Sequence, residues 1–195
     1  MHAGQGKSRT SLPTIWLMSD ERVATDDLLR AIARLPRQSA VILRHYRLDP
    51  IARRALFNQV RRAARKRHCR ILLAGDARTA MQWGADGHHG PARGPRDSRW
   101  LHSAPAHGHK EMRAAQRAGA DVVLLSLLFR TRSHPGARPL GPARFAALAR
   151  LATLPVIALG GVHPHHAALV RRLGAVGYAA IDGLTPRRGP RGGAI

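Results

Sequence analysis

Short apolar runs alternate with amphipathic segments along nearly the whole chain, and this alternation restricts the fold more than any other feature. The apolar runs are TIWLMSD (14–20), AVILRHY (40–46), CRILLAG (69–75), ADGHHG (85–90), RWLHSAPAH (99–107), DVVLLSLLF (121–129), LPVIALGG (154–161) and AVGYAAIDG (175–183). Runs this short, flanked by Gly, Pro and Asp, read as parallel strands buried on both faces. Between them lie helical patterns. TDDLLRAIARLP offers Thr25 as an N-cap, two acids in its first turn and a stop at Pro36. DPIARRALFNQVRRAARKRH places Pro50 in a first helical turn and repeats Ile51, Ala55, Leu56 and Val60 at helical spacing. HKEMRAAQRAG and PHHAALVRRLG close on Gly119 and Gly174, as C′ glycines do.

Eight strands and about six helices in strict alternation allow an open doubly wound sheet or a closed barrel, and eight strands favour a single (β/α)8 TIM barrel. Two places depart from the full pattern. The run GPARGPRDS after the fourth strand has no clear helix, so that helix is expected to be weak. TPRRGPRGGAI carries no helical pattern, so the last helix is expected to be missing or shortened. The expected organisation is a flexible N-terminus (1–11), a barrel domain (12–184) and a disordered basic tail (185–195).

Composition narrows the function classes. Of the 195 residues, 44% are hydrophobic, which suits a globular chain. No apolar run approaches the roughly 18–20 residues of a membrane span. MHAGQGKSRTS lacks the apolar region of a secretory signal, so a cytoplasmic location is the default. The single cysteine, Cys69, opens an apolar run and is expected to be a buried, inert thiol. The net charge of +22 would suit a nucleic-acid binder, but the cations are nearly all Arg and spread throughout, and aromatics are only 4%. Nucleic-acid binding is therefore expected to be incidental.

The histidines offer little metal chemistry. His163, His165 and His166 open a helix, where adjacent positions diverge by about 100°. His88 and His89 sit next to each other on a strand and should face opposite ways. GQGKS near the start lacks the strand and the first glycine of a phosphate loop.

Several motifs in order carry a resemblance: GADGHHG (84–90), APAHG (104–108), GADVVLLSLLFRTRSHPGARPLG (119–141), LPVIALGGV (154–162) and GAVGYAAID (174–182). Together they resemble the thiamine phosphate synthase family, which shares its barrel with the thiazole tautomerases. The specific part is the FxTxSHPGxxxLG arrangement. The resemblance covers roughly residues 14–184. It implies a transferase of thiamine biosynthesis that joins an aminopyrimidine pyrophosphate to a thiazole phosphate with loss of pyrophosphate. The alternatives are a metal-independent thiazole tautomerase-like isomerase, or a non-catalytic barrel that binds phosphorylated ligands.

Residue by residue, the resemblance implies the following. The family's Gln-x-Arg-x-Lys falls on Ile42, Arg44 and Tyr46, which strand alternation would put on one face. Arg44 is then a candidate phosphate clamp. The pyrophosphate loop falls on Arg130, Thr131, Ser133 and His134, with His134 in place of the usual Lys. Gly160 and Gly161 take the position of the thiazole phosphate site. His107 stands where a tautomerase histidine would move a proton, and an imidazole suits that role. Magnesium is possible by resemblance, but its acids fall on Ala74, Gly75 and near Gly94, so its ligands are not retained. Asp182 replaces a serine, and a carboxylate there repels phosphate unless it turns onto an arginine. The implied partners are small phosphorylated heterocycles; no membrane is implied, and a homo-oligomer stays open.

Overall fold

The computed structural model describes residues 11–95, 97, 99–133 and 135–185. Its eight strands, all parallel, close in sequence order into one ring. They are β1 (Ile15–Met18), β2 (Ala40–Leu43), β3 (Arg70–Ala74), β4 (Gly87–His89), β5 (Leu101–Ala106), β6 (Val122–Leu125), β7 (Val156–Leu159) and β8 (Gly177–Ala180). β8 pairs back onto β1 with Tyr178 opposite Ile15, so no sheet edge remains. The fold is the (β/α)8 TIM barrel that the alternation predicts.

Because side chains alternate across a strand, each strand feeds two separate cores. Trp16, Met18, Ile42, Leu72, Leu124 and Ile157 point inward and fill the barrel. Leu17, Val41, Leu43, Ile71 and Leu73 point outward under the first helices, and Val123, Leu125 and Ala158 do so under the later ones. Trp16 is fully buried, and its indole Nε1 donates to the Pro13 carbonyl at 2.7 Å, so the polar end of this large core residue is satisfied.

The helices are α1 (Thr25–Arg34), α2 (Pro50–Lys66), α3 (Ala77–Gln82), α4 (His109–Arg117), α5 (Gly141–Arg150) and α6 (Ala167–Arg172). α2 starts as its sequence suggests: Pro50 stands in the first turn and Asp49 caps it, accepting from the N–H groups of Ile51 and Ala52 at 2.9 Å each. Gly119 and Gly174 follow α4 and α6 with φ of 72° and 93°, the left-handed turn that a C′ glycine provides. Among the described residues no helix separates β4 from β5, and none follows β8 before Thr185. Cys69 is buried, and burial pushes its thiol pKa up, as an inert core thiol requires.

Three local expectations are corrected. The N-cap of α1 is Ala24, with no side-chain cap, because Thr25 already has helical geometry. On α2 the buried stripe is Leu56, Phe57, Val60 and Ala64, while Ile51 is 84% exposed. Leu56 and Val60 are buried as their spacing implies, Ile51 and Ala55 are exposed, and Phe57 and Ala64 complete the stripe. Residues 163–166 open in a 3-10 turn (Pro164–His166), which brings the His163 and His165 rings together, stacked with centroids 5.5 Å apart. His163 precedes this turn with extended backbone, so helical spacing does not govern where its ring points.

Arginine side chains close several carbonyls left open at the ends of these elements. Arg67 donates to the Leu35 carbonyl at the end of α1, with Nε at 3.1 Å. Arg61 reaches the Trp83 carbonyl just past α3 at 2.9 Å, and Arg54 reaches the Gln82 carbonyl at 3.2 Å. Arg93 reaches the last carbonyl of α4 at Arg117 at 2.8 Å. Arg53 bridges the carbonyls of Arg44 and Ala74, at 3.0 and 2.6 Å. At the helix ends such cations satisfy acceptors that have no helical partner and oppose the negative end of the helix dipole.

Candidate active site at the barrel mouth

A pocket of about 690 Å³ opens at the C-terminal ends of β1, β6, β7 and β8. Barrel enzymes keep their chemistry at this end, on loops carried by a rigid ring. Its walls include Arg22 from the loop after β1, Arg130 and Thr131 from the loop after β6, Gly160 and Gly161 after β7, and Asp182 after β8.

The twin glycines have a clear local cause. Their φ values are 99° and 62°, which L side chains rarely adopt. A Cβ on Gly160 would lie 2.9 Å from the Leu127 Cα, and one on Gly161 would lie 2.3 Å from the Arg130 carbonyl oxygen. The loop after β6 lies flat on this turn, with the N–H groups of Leu128 and Phe129 donating to the carbonyls of Leu159 and Gly160 at 2.8 and 3.0 Å. The glycines therefore serve close backbone packing as well as an open pocket wall.

Opposite them, carboxylates and guanidinium groups form a chain. Arg22 grips Asp20 with Nε on Oδ1 at 2.7 Å and Nη2 on Oδ2 at 3.2 Å. The same Nη2 donates to Ser133 Oγ at 2.7 Å and lies 3.9 Å from Asp182. Arg44 takes the other side of Asp20, with Nη2 on Oδ2 at 2.9 Å and Nε on the Ser19 carbonyl at 2.8 Å. Burial acts to raise the Asp20 pKa, but the hydrogen bonds and charge of Arg22, with the charge of Arg44, outweigh it and hold it below the usual carboxylate value. Asp182 stays in the pocket wall, offset by Arg22 at 3.9 Å but not turned away from the site.

The candidate residues from the sequence divide into two groups. Arg130, Thr131, Gly160 and Gly161 share the pocket wall, and Ser133 is tied to its edge through Arg22. His134 lies outside the described residues. Arg44 and His107 follow β2 and β5 and do not line this pocket. Tyr46 is a correction: β2 ends at Leu43, so strand alternation no longer governs residue 46, and Tyr46 stands 62% exposed under the Arg53 guanidinium. Arg22 and Asp20 were missed by the sequence reading. Their signal was their place just past β1, at the end of the barrel where sites lie.

The donor set at the family's magnesium positions does not suit a hard divalent cation. Ala74 and Gly75 supply no carboxylate. Asp76 is occupied in capping α3 through the Thr79 N–H at 2.8 Å, and Asp97 accepts from the Arg99 N–H at 2.9 Å. Among the described residues, no three His, Cys, Asp or Glu side chains are gathered as a metal site requires. No described helix is long and apolar enough to cross a membrane.

Inside the ring, His89 and His88 do face opposite ways. His89 pairs in register with Ala74 and Ser103, on the inner face, and its Nδ1 lies 3.0 Å from Ser103 Oγ. Burial, with Arg44 and two histidines nearby, pushes its pKa down to about 3. His88 faces outward. It stacks on His102 at 4.1 Å and accepts from Trp100 Nε1 at 3.0 Å.

Comparison with known proteins agrees with this architecture. An Alcanivorax borkumensis thiamine-phosphate synthase is 28% identical over 183 residues, covering 87% of this chain and 84% of its own length. An Aquifex aeolicus protein, provisionally a second thiamine-phosphate synthase, is 26% identical over 180 residues, covering 88% of this chain and 97% of its own. The solved structure of a Pyrococcus furiosus thiamine phosphate pyrophosphorylase shares the fold, with a TM-score of 0.72 at 20% identity over 87% of this chain and 85% of that one. With residues 15–184 matching the family model described as thiamine monophosphate synthase, the chain belongs to the thiamine monophosphate synthase family.

Proposed function

We propose that this chain joins an aminopyrimidine pyrophosphate to a thiazole phosphate, forming thiamine phosphate and releasing pyrophosphate. The observation that carries this reading is the convergence of Arg130, Thr131 and the Gly160–Gly161 turn on one pocket in a family member. In the reaction, the carbon–oxygen bond to the leaving pyrophosphate breaks with its electron pair going to oxygen. The thiazole ring nitrogen then supplies the pair that forms the new carbon–nitrogen bond. No covalent bond to the protein is needed, so the chain acts by positioning and by stabilising charge.

Arg130 and Thr131 face the departing pyrophosphate in this reading, and the side-chain-free turn admits the thiazole phosphate to backbone N–H groups. Arg130 and Arg132, which both line the pocket, supply in this reading the charge neutralisation that a carboxylate-bound magnesium would otherwise give. The tautomerase alternative has less support, because His107 stands apart from the pocket wall.

The test incubates the purified chain with both substrates, with magnesium and with a chelator, and follows thiamine phosphate by fluorescence after oxidation. Product with strict magnesium dependence would overturn the arginine-neutralisation part alone. Ligand binding without product would identify a binding barrel and end the synthase reading. With product formed, Arg130→Gln is expected to lower kcat/KM by at least about tenfold, the scale of a lost charge-assisted hydrogen bond.

A further inference from the structure

We propose that Arg22 is the guanidinium that grips the ligand's phosphoryl group in this pocket, with Asp182 as the counter-charge it releases when the ligand enters. The proposal rests on reading the pocket as a phosphate site and adds a specificity-determining residue to it. Three observations carry it. First, Arg22 lines the pocket and is fixed by a two-pronged grip on Asp20, so its fork is oriented before any ligand arrives. Second, Arg44 is held by Ser19 and Asp20 through Nε and Nη2 and lies outside the pocket wall. Third, the Arg22–Asp182 distance of 3.9 Å is long for a charged pair whose hydrogen-bonded form closes to about 2.7–2.9 Å.

The charge balance gives the exchange its direction. Asp20 serves two guanidinium groups, leaving one positive charge on the trio, and Asp182 offsets it only loosely across 3.9 Å. A phosphate dianion brings more charge and several oxygens to the Nη1–Nη2 edge of Arg22, because the Nε–Nη2 edge holds Asp20. It therefore displaces Asp182 while the grip on Asp20 stays in place. The Ser133 hydroxyl, now 2.7 Å from Arg22, stands beside the incoming oxygens and carries the β6 loop with it.

The test is calorimetry of inorganic pyrophosphate and inorganic phosphate binding to the full chain in magnesium-free buffer. The wild-type chain is expected to bind. Arg22→Gln should weaken affinity at least about tenfold and Arg22→Lys less, since lysine keeps the charge without the fork. Asp182→Asn should tighten affinity several-fold, and this gain should shrink in the Arg22→Gln background. If Arg22→Gln does not fold, Arg22→Lys takes its place, both in affinity and as the background for Asp182→Asn. Unchanged affinity in a folded Arg22→Gln chain, no anion binding by the wild type, or no gain in Asp182→Asn would each overturn the proposal. An equal Asp182→Asn gain with and without Arg22 would overturn the exchange. Arg22-dependent binding without thiamine phosphate formation would leave this proposal standing while the synthase reading falls.

Discussion

At the scale of single residues, His89 shows how the barrel treats a titratable group. It lies on the inner face beside Ser103, and its pKa is held near 3 against an ordinary 6.5. Between those values the unfolded chain takes up a proton that the folded chain refuses. Stability therefore falls as pH drops through 6.5 toward 3, by up to about 1.4 kcal/mol per pH unit for this group. Urea denaturation at pH 7 and pH 5 should show a loss for wild type about 2 kcal/mol larger than for His89→Gln. The alternation that separates His88 from His89 was legible in the sequence, because a strand has period two. The Asp20–Arg22–Asp182 chain was not. It joins loops after β1 and β8, and contacts between loops that are distant in sequence leave no periodic trace.

The elements were legible where pattern and chemistry agree. All eight strands fall inside the apolar runs, and the C′ glycines of α4 and α6 lie where the sequence puts them. On α2, Leu56 and Val60 are buried as their spacing implies, whereas Ile51, an apolar residue in the first turn, faces solvent. Tyr46 was misplaced because strand periodicity was carried past the end of β2. The loop after β6 is the element on which the candidate site depends most, and its seat is the glycine pair. Gly161→Ala combines a positive φ with a Cβ placed against the Arg130 carbonyl. We expect it to cost more than about 1 kcal/mol in thermal or urea denaturation. It should also weaken pyrophosphate binding, since Arg130 and Thr131 ride on the displaced loop.

At the scale of the whole molecule, the ring and its helices explain where much of the positive charge goes. The net charge of +22 reads as a nucleic-acid signature in isolation. Spread over helix surfaces and used at carbonyls, it should give only weak, sequence-indifferent attraction to DNA. Fluorescence anisotropy with a mixed-sequence duplex should show binding at about 50 mM salt that collapses by about 200 mM, the behaviour of counterion release. Tight binding that survives the higher salt would contradict this. The arginines at the carbonyls of Leu35, Ala74, Trp83 and Arg117 have a further consequence. A chain with lysine at Arg53, Arg61, Arg67 and Arg93 would keep its charge and isoelectric behaviour yet lose the planar forks that lock one βα unit to the next. In this barrel the guanidinium groups act as mortise joints, so cationic content alone is a poor guide to which substitutions the scaffold tolerates.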